Sequence, residues 1–142
     1  MLIRARTLCP DCGCDTEVVA LALPQAHEWR DDDTPDCWYR ASGPAVLFNL
    51  SRLGQASSAA IEEHSRGFRP TDAQATALWR NHCAGCNRPL SDDQLHCEPG
   101  GAFMPLGPEA ARFEMRHVPV AFSGLAGGYA PEPPFYPQLP AA

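Results

Sequence analysis

Two pairs of cysteines with the same spacing are the residues of this sequence best suited to chemistry. Cys9 and Cys12 form one Cys-x-x-Cys motif, and Cys83 and Cys86 form another, with 70 residues between the two motifs. Such a turn places its two sulfur atoms about 3.5 to 4 Å apart, and two facing turns provide the tetrahedral four-sulfur set that Zn²⁺ prefers. We therefore predict one zinc ion per chain, bound by these four cysteines.

The residue after each motif supports this interpretation. Metal-binding turns of this kind often need a left-handed backbone there, which Gly13 adopts freely and Asn87 adopts more readily than most residues. The long separation of the motifs is a weak objection, because loop-closure entropy grows slowly with length and a structural zinc contributes several kcal/mol to folding.

Other uses of the thiols remain open at this point. Two metal ions could be held by a split set consisting of Cys9, Cys12, Cys14 and Cys37 at one ion and Cys83, Cys86, His96 and Cys97 at the other. Iron in the four-sulfur set, metal-free thiols and a dithiol redox site are further alternatives. Neither motif has the strand–helix–strand flanks typical of redox dithiols.

The remaining cysteines and two histidines have simpler explanations. We expect Cys14, Cys37 and Cys97 to be small buried apolar residues without a ligand role. His82 and His96 each precede a cysteine and could donate a hydrogen bond to sulfur, although an ordinary structural role is the simpler interpretation.

Signatures of known enzyme classes are missing from the sequence. The stretch "AHEW" at residues 26–29 has the wrong spacing for a zinc deaminase, and no HExxH, P-loop or GxSxG motif occurs. Four thiolates leave a metal no open position for water. Glu98 precedes Pro99, Gly100 and Gly101, so turn formation explains it. We predict no catalytic residue, and a metal or thiol-redox enzyme is the enzymatic alternative.

Length and composition indicate a single globular domain. The chain has 142 residues, of which 44% are hydrophobic and 20% charged. No stretch is long and apolar enough for a membrane span, and "MLIRARTL" lacks the features of a secretory signal. We therefore expect a cytoplasmic protein, where thiols stay reduced and available to metals.

The net charge of the chain indicates which class of partner it favours. It is −6, and four thiolates around Zn²⁺ would add about two negative charges, so nucleic acid is a disfavoured partner and a protein partner is preferred. A nucleic-acid-binding zinc ribbon, the alternative, would need four arginines on one face: Arg80, Arg88, Arg112 and Arg116. The sequence does not indicate the oligomeric state.

We predict an α+β fold. The cysteine motifs indicate zinc-ribbon-like knuckles, and the hydrophobic patterns indicate a small antiparallel sheet with one or two short helices. We predict strands at residues 16–23, 44–50 and 93–98, a helix over 57–65, and a last strand over 111–122 interrupted near Pro119. Residues 75–80 suit a helix or a strand. The predicted domain covers 1–123, followed by a Gly/Pro-rich tail at 124–142 in which prolines at 131, 134, 137 and 140 would share one face of a polyproline II helix.

Two stretches resemble a family of small bacterial zinc-ribbon-like proteins found in hypothetical and mobile-element contexts. These are "CPDCGCDTEVVALALP" and "NHCAGCNRPLSDDQLHCEPGGAFMP", which match the paired cysteines, the T-x-V-V-A-L run and a run containing Glu98 to Gly101 and Phe103. Asn87 departs from the glycine of that pattern, and the middle and the tail of the chain do not match. The resemblance implies a metal site and no assigned activity.

Taken together, these features predict a non-enzymatic zinc-binding module that interacts with a protein. The surfaces we expect to act are the acidic loop from Asp31 to Asp36, the aromatic residues Trp29, Trp38 and Tyr39, and the proline tail. Aromatic rings beside carboxylates would suit a basic partner. One hypothesis is a phage or plasmid factor that acts on a nucleic-acid-binding host system.

Overall fold

The computed structural model describes residues 1–107 and 112–131, with the side chain of residue 131 excluded. Nine strands and two helices lie in these residues. In chain order they are β1 (Leu2–Leu8), β2 (Asp15–Leu23), β3 (Glu28–Trp29), β4 (Tyr39–Arg40), β5 (Ala45–Ser51), α1 (Gln55–His64), β6 (Phe68–Pro70), β7 (Trp79–Asn81), α2 (Asp92–His96), β8 (Glu114–Arg116) and β9 (Leu125–Pro131). The fold is mixed, with strands predominating, as the α+β prediction requires.

Seven of the strands form one curled antiparallel sheet, and β3 and β4 form a separate hairpin. Six strands of the seven-stranded sheet follow the order β6-β7-β5-β2-β1-β8, and the seventh, β9, pairs along the whole of β5. The opposite edge of β5 is shared, because β2 pairs with its first half and β7 pairs with Leu50 near its end. Strands β2 and β7 therefore lie side by side against one strand, and each leads to or from a Cys-x-x-Cys motif.

Strand β2 is buried on both of its faces, which explains its unbroken apolar sequence. Val18, Ala20 and Ala22 point to one apolar cluster, whereas Val19 and Leu21 point to the other. The first cluster also contains side chains of α2, of the segments on either side of it and of both cysteine motifs: Leu90, Leu95, Phe103, Cys9 and Cys83. The second lies between the sheet and α1: Leu2, Leu47, Leu50, Ile61, Phe68 and Trp79.

Several predicted elements occur close to their expected places. The strands predicted at 16–23 and 44–50 and the helix predicted at 57–65 appear as β2, β5 and α1, with ends shifted by at most two residues. Trp79–Asn81 is a strand, which resolves the choice between helix and strand before the second motif. Within the described residues no helix is long and apolar enough to cross a lipid bilayer.

The strand predicted over residues 93–98 is wrong, because this segment contains helix α2. The hydroxyl of Ser91 accepts a hydrogen bond from the backbone N–H of Gln94 at 3.4 Å, and Asp92 and Asp93 occupy the first turn. A capping serine followed by acidic residues stabilises a helix N-terminus. The apolar-polar alternation of a short segment was therefore a weaker signal than its capping residue.

The C-terminal part of the sheet also differs from expectation. The predicted strand over 111–122 is limited to Glu114–Arg116, and residue 111 lies outside the described residues. Strand β9 was not predicted, and it places the first part of the predicted tail in the sheet beside β5. Three of the four periodic prolines, at 134, 137 and 140, lie outside the described residues.

Candidate metal centre

Both Cys-x-x-Cys motifs are turns at the ends of antiparallel ribbons. The first joins β1 to β2, whose pairing continues up to Leu8 and Asp15. The second follows β7, and a bridge between His82 and Pro89 closes its base. Because β1 and β2 belong to the same sheet as β7, the fold brings the two turns against each other.

The four sulfur atoms converge on one point. All of them lie within 4.8 Å of one another. The Sγ atoms of Cys9 and Cys86 are 3.8 Å apart, and those of Cys12 and Cys83 are 3.4 Å apart, so the short contacts cross between the turns. These four residues are the ones that the sequence predicted as ligands, and the cluster that they form could hold a metal ion.

The two turns have the same backbone hydrogen bonds. The N–H of Gly13 donates to the carbonyl of Cys9 at 2.8 Å, and the N–H of Asn87 donates to the carbonyl of Cys83 at 3.0 Å. Gly13 has a φ of 73° and Asn87 a φ of 62°. The left-handed backbone predicted after each motif is therefore confirmed, and asparagine accepts it in place of glycine.

Hydrogen-bond donors surround the sulfur of Cys83. The backbone N–H groups of Gly85 and Cys86 lie 3.3 and 3.4 Å from it, and the Thr16 hydroxyl lies 3.6 Å away. Thr16 is buried and also accepts the N–H of Ala84 at 3.3 Å, which links β2 to the second turn. Sequence reasoning missed this residue, because its contact with Cys83 spans 67 positions.

These surroundings act on the thiols in opposite directions. The N–H of Cys86 and then the Thr16 hydroxyl lower the pKa of Cys83 to about 5. The N–H of Arg88 lowers the pKa of Cys86, but burial and the neighbouring thiols outweigh it and raise that pKa to about 12. The protein alone thus favours the thiolate form of Cys83 and the protonated thiol of Cys86. A bound cation would favour the thiolate form of both cysteines.

A side-chain amide joins the second turn to β2. Asn81, the last residue of β7, is buried, and its Oδ1 accepts the backbone N–H of Val19 at 2.8 Å. Its Nδ2 donates to the carbonyl of the same residue at 2.9 Å. The amide takes the place of a strand partner for β2 and thereby sets the distance between the ribbons that carry the cysteines.

The fold does not bring together the two separate ligand sets that a two-ion arrangement would need. Among residues 1–107 and 112–131, Cys9, Cys12, Cys83 and Cys86 are the one group of three or more His, Cys, Asp or Glu side chains found to share a possible ion position. The expectation that Cys14, Cys37 and Cys97 are buried is wrong, since all three are exposed.

The two histidines next to cysteines contact groups other than sulfur. Nδ1 of His82 is 2.9 Å from the carbonyl oxygen of Arg80 and 3.3 Å from that of Gly67. His96 stacks between the rings of Phe48 and Phe103. Both contacts agree with the structural roles considered simplest from the sequence.

Three of the four arginines of the nucleic-acid alternative, Arg80, Arg88 and Arg116, lie in different surroundings. Arg80 is mostly buried and pairs with the buried carboxylate of Asp92 at 3.1 Å. Arg88 lies at the second turn, where it pairs with Asp11 at 3.5 Å, whereas Arg116 pairs with Leu2 at the opposite end of β1. Leu8 lies six positions after Leu2 along β1, a span of about 20 Å.

Comparisons with known proteins add no relative: no protein-family model, no curated protein and no solved structure matches the chain. The resemblance to bacterial zinc-ribbon-like proteins, with its mobile-element context, therefore stays a prediction.

Proposed function

We propose that Cys9, Cys12, Cys83 and Cys86 bind one Zn²⁺ as the structural centre of a non-enzymatic protein-binding module. The observation that carries the proposal is the convergence of four sulfurs within 4.8 Å. In a tetrahedral site with zinc–sulfur bonds of about 2.3 Å, neighbouring sulfurs lie about 3.8 Å apart. The cross-turn distances of 3.8 and 3.4 Å are close to this value.

A structural rather than catalytic role is supported by the donor set. Four thiolates complete a tetrahedral shell and leave no position for a reacting water molecule. Cys9 and Cys83 are buried in the same apolar cluster as Leu90 and Leu95, so the centre continues the hydrophobic core. Zinc at this point would supply a cross-link between two turns that are far apart in sequence.

This arrangement agrees with zinc-ribbon-like knuckles. Each knuckle is a Cys-x-x-Cys turn with a left-handed residue after it, and each is held by a short antiparallel ribbon. The larger sheet then serves as the scaffold that positions exposed segments, and three of the exposed large rings in the described residues lie in the hairpin of β3 and β4. A phage or plasmid origin and a host target remain hypotheses that the metal centre does not address.

Native mass spectrometry of the 142-residue chain, purified without added metal, tests this proposal. We expect one zinc ion per chain. Cys9→Ser and Cys83→Ser should each reduce zinc occupancy and lower the free energy of unfolding, because each removes a buried ligand. Cys37→Ser and Cys97→Ser are matched controls at exposed cysteines and should retain zinc.

Other metal contents would contradict the proposal in distinct ways. Iron would indicate a different four-sulfur centre, two ions per chain would favour a split set, and oxidised metal-free thiols would favour redox chemistry. Full zinc occupancy in both Cys9→Ser and Cys83→Ser would show that the metal is bound elsewhere.

A further inference from the structure

The hairpin of β3 and β4 is an exposed surface that the metal centre does not explain. We call residues 27–41 the aromatic hairpin. Every residue from 28 to 40 is exposed, including three large rings: Trp29 is 41% accessible, Trp38 63% and Tyr39 41%. Large rings accessible to this degree are typical of surfaces that contact another molecule.

The rings are arranged by the pairing of the two strands. Trp29 and Tyr39 are opposite each other in the register, and their rings stack with centroids 4.9 Å apart. Arg30, which follows β3, and Trp38, which precedes β4, meet as well, with the guanidinium carbon of Arg30 lying 5.3 Å from the Trp38 ring centroid. The Trp38 ring thus already lies within cation–π distance of an arginine of its own chain.

Carboxylates flank the rings along the chain. The aromatic hairpin carries five acidic side chains, Glu28, Asp31, Asp32, Asp33 and Asp36, against two arginines, Arg30 and Arg40. A guanidinium group stacks on aromatic rings and also pairs with carboxylates, so the rings and the acidic side chains of the hairpin both favour arginine in a partner.

The tip of the hairpin is held by its own hydrogen bonds. The N–H of Asp33 donates to Oδ1 of Asp31 at 3.1 Å, the N–H of Thr34 donates to the carbonyl of Asp31 at 3.2 Å, and the N–H of Cys37 donates to the carbonyl of Thr34 at 3.0 Å. A loop ordered in this way loses less conformational entropy when it binds a partner.

We propose that the aromatic hairpin binds an arginine-rich segment of a partner protein, with partner guanidinium groups on the rings of Trp38 and Trp29 and in contact with the flanking aspartates. This inference deepens the proposed protein-binding function and rests on it. Nucleic acid and a second copy of this chain are the other occupants to test, and both would bring negative charge to a negatively charged surface.

Fluorescence anisotropy of a labelled peptide of alternating arginine and glycine, titrated with the metal-loaded protein, tests the proposal. We expect saturable binding that weakens as salt increases, weaker binding of the corresponding lysine–glycine peptide, and none of a glutamate–glycine peptide. Arginine should be preferred because its planar group both stacks on rings and pairs with carboxylates.

Two variants and two matched controls locate the binding site. Trp38→Ala should weaken binding about two- to fivefold, as expected for loss of an exposed cation–π contact. The double variant Asp32→Asn/Asp36→Asn should weaken it further and reduce its salt dependence. Tyr129→Ala removes an exposed ring on β9, and Glu62→Gln/Glu63→Gln removes two exposed acids on α1, so both should bind like the unmodified protein.

Equal affinity of all variants, or no binding of the arginine peptide, would overturn the inference. A dimer in sedimentation that dissociates in Trp38→Ala would assign the hairpin to a second copy, and tighter binding of single-stranded DNA than of the peptide would assign it to nucleic acid. Zinc content is measured on the same samples. Zinc-loaded protein that does not bind the peptide contradicts this inference alone, whereas zinc-free protein contradicts the proposed metal centre.

Discussion

At the scale of single residues, Asn81 contributes more to the centre than its position beside the cysteines suggests. Its amide satisfies both backbone groups of Val19 in the interior of the sheet. Within the part of the chain that the structure describes, no backbone group takes its place, because β7 pairs with β5 and β6 rather than with β2. Loss of this side chain would leave a buried donor and a buried acceptor without partners.

We expect Asn81→Ala to lower the free energy of unfolding by about 2 to 6 kcal/mol, since it leaves two buried groups unsatisfied and each costs about 1 to 3 kcal/mol. Urea denaturation of the zinc-loaded protein measures this change. Gln94→Ala, which removes an exposed amide, is the control and should change stability by less than about 0.5 kcal/mol. A loss below about 1 kcal/mol in Asn81→Ala would show that the sheet adjusts to satisfy Val19.

At the scale of elements, α2 combines a short helix with a buried polar cluster. Oδ2 of Asp92 accepts the N–H of Asn49 at 2.7 Å and pairs with Arg80, which ties the helix to β5 and β7. One turn later, His96 is buried between two phenylalanine rings. Burial, and next the charge of Arg80, lowers the pKa of His96 to about 4.

This lowered pKa predicts a loss of stability in acid. Between pH 6.5 and 4 the unfolded chain binds a proton at His96 that the folded protein excludes, so stability is complete above pH 6.5 and decreases as pH falls through this window. From pH 7.5 to pH 5 the decrease due to His96 is about 2 kcal/mol.

Chemical denaturation of the protein and of His96→Phe at both pH values isolates this contribution. Phenylalanine keeps a ring between the neighbouring rings and cannot bind a proton. We expect the stability difference between the two proteins to shift by about 2 kcal/mol in favour of His96→Phe at pH 5. Acid effects on the cysteines are common to both proteins and cancel, so an unchanged difference would show that His96 is protonated in the folded state.

At the scale of the whole molecule, the proposed zinc joins the two ribbons at one end of the sheet. The pairing of β5 with β9 extends over Ala45 to Ser51 and does not involve either knuckle. The knuckle backbones depend on local turns, so their order relies on the cross-link. The two regions should therefore respond differently to loss of metal.

We expect metal removal by EDTA to lower the midpoint of thermal unfolding and to abolish hydrogen-exchange protection first at the knuckles. The N–H groups of Gly13 and Asn87, which close the two turns, should exchange rapidly, whereas those of Val46 and Leu47 should remain protected. Mass-resolved exchange of loaded and chelated protein measures this. Unchanged protection at the knuckles would contradict a structural metal, and simultaneous loss everywhere would show that the sheet does not persist without it.

The sequence by itself determined those features that depend on neighbouring residues. Cys-x-x-Cys spacing and a glycine or asparagine after it are local requirements of a turn, so both knuckles could be predicted with their left-handed residues. The apolar run of β2 and the helix-forming residues of α1 are also local signals. Helix α2 had a local signal too, in the capping serine at residue 91, but a competing short alternation obscured it.

Only the tertiary structure decided how these parts meet. Asn81 reaches Val19 across 62 positions and Thr16 reaches Cys83 across 67, and no pattern in a single sequence reveals such pairs. Strand β9 depends on the edge that β5 offers, and its Gly-rich sequence carries no strand signal of its own. The spacing of the cysteines was enough to predict the four ligands. Their convergence on one point depends on the sheet that places two distant ribbons side by side.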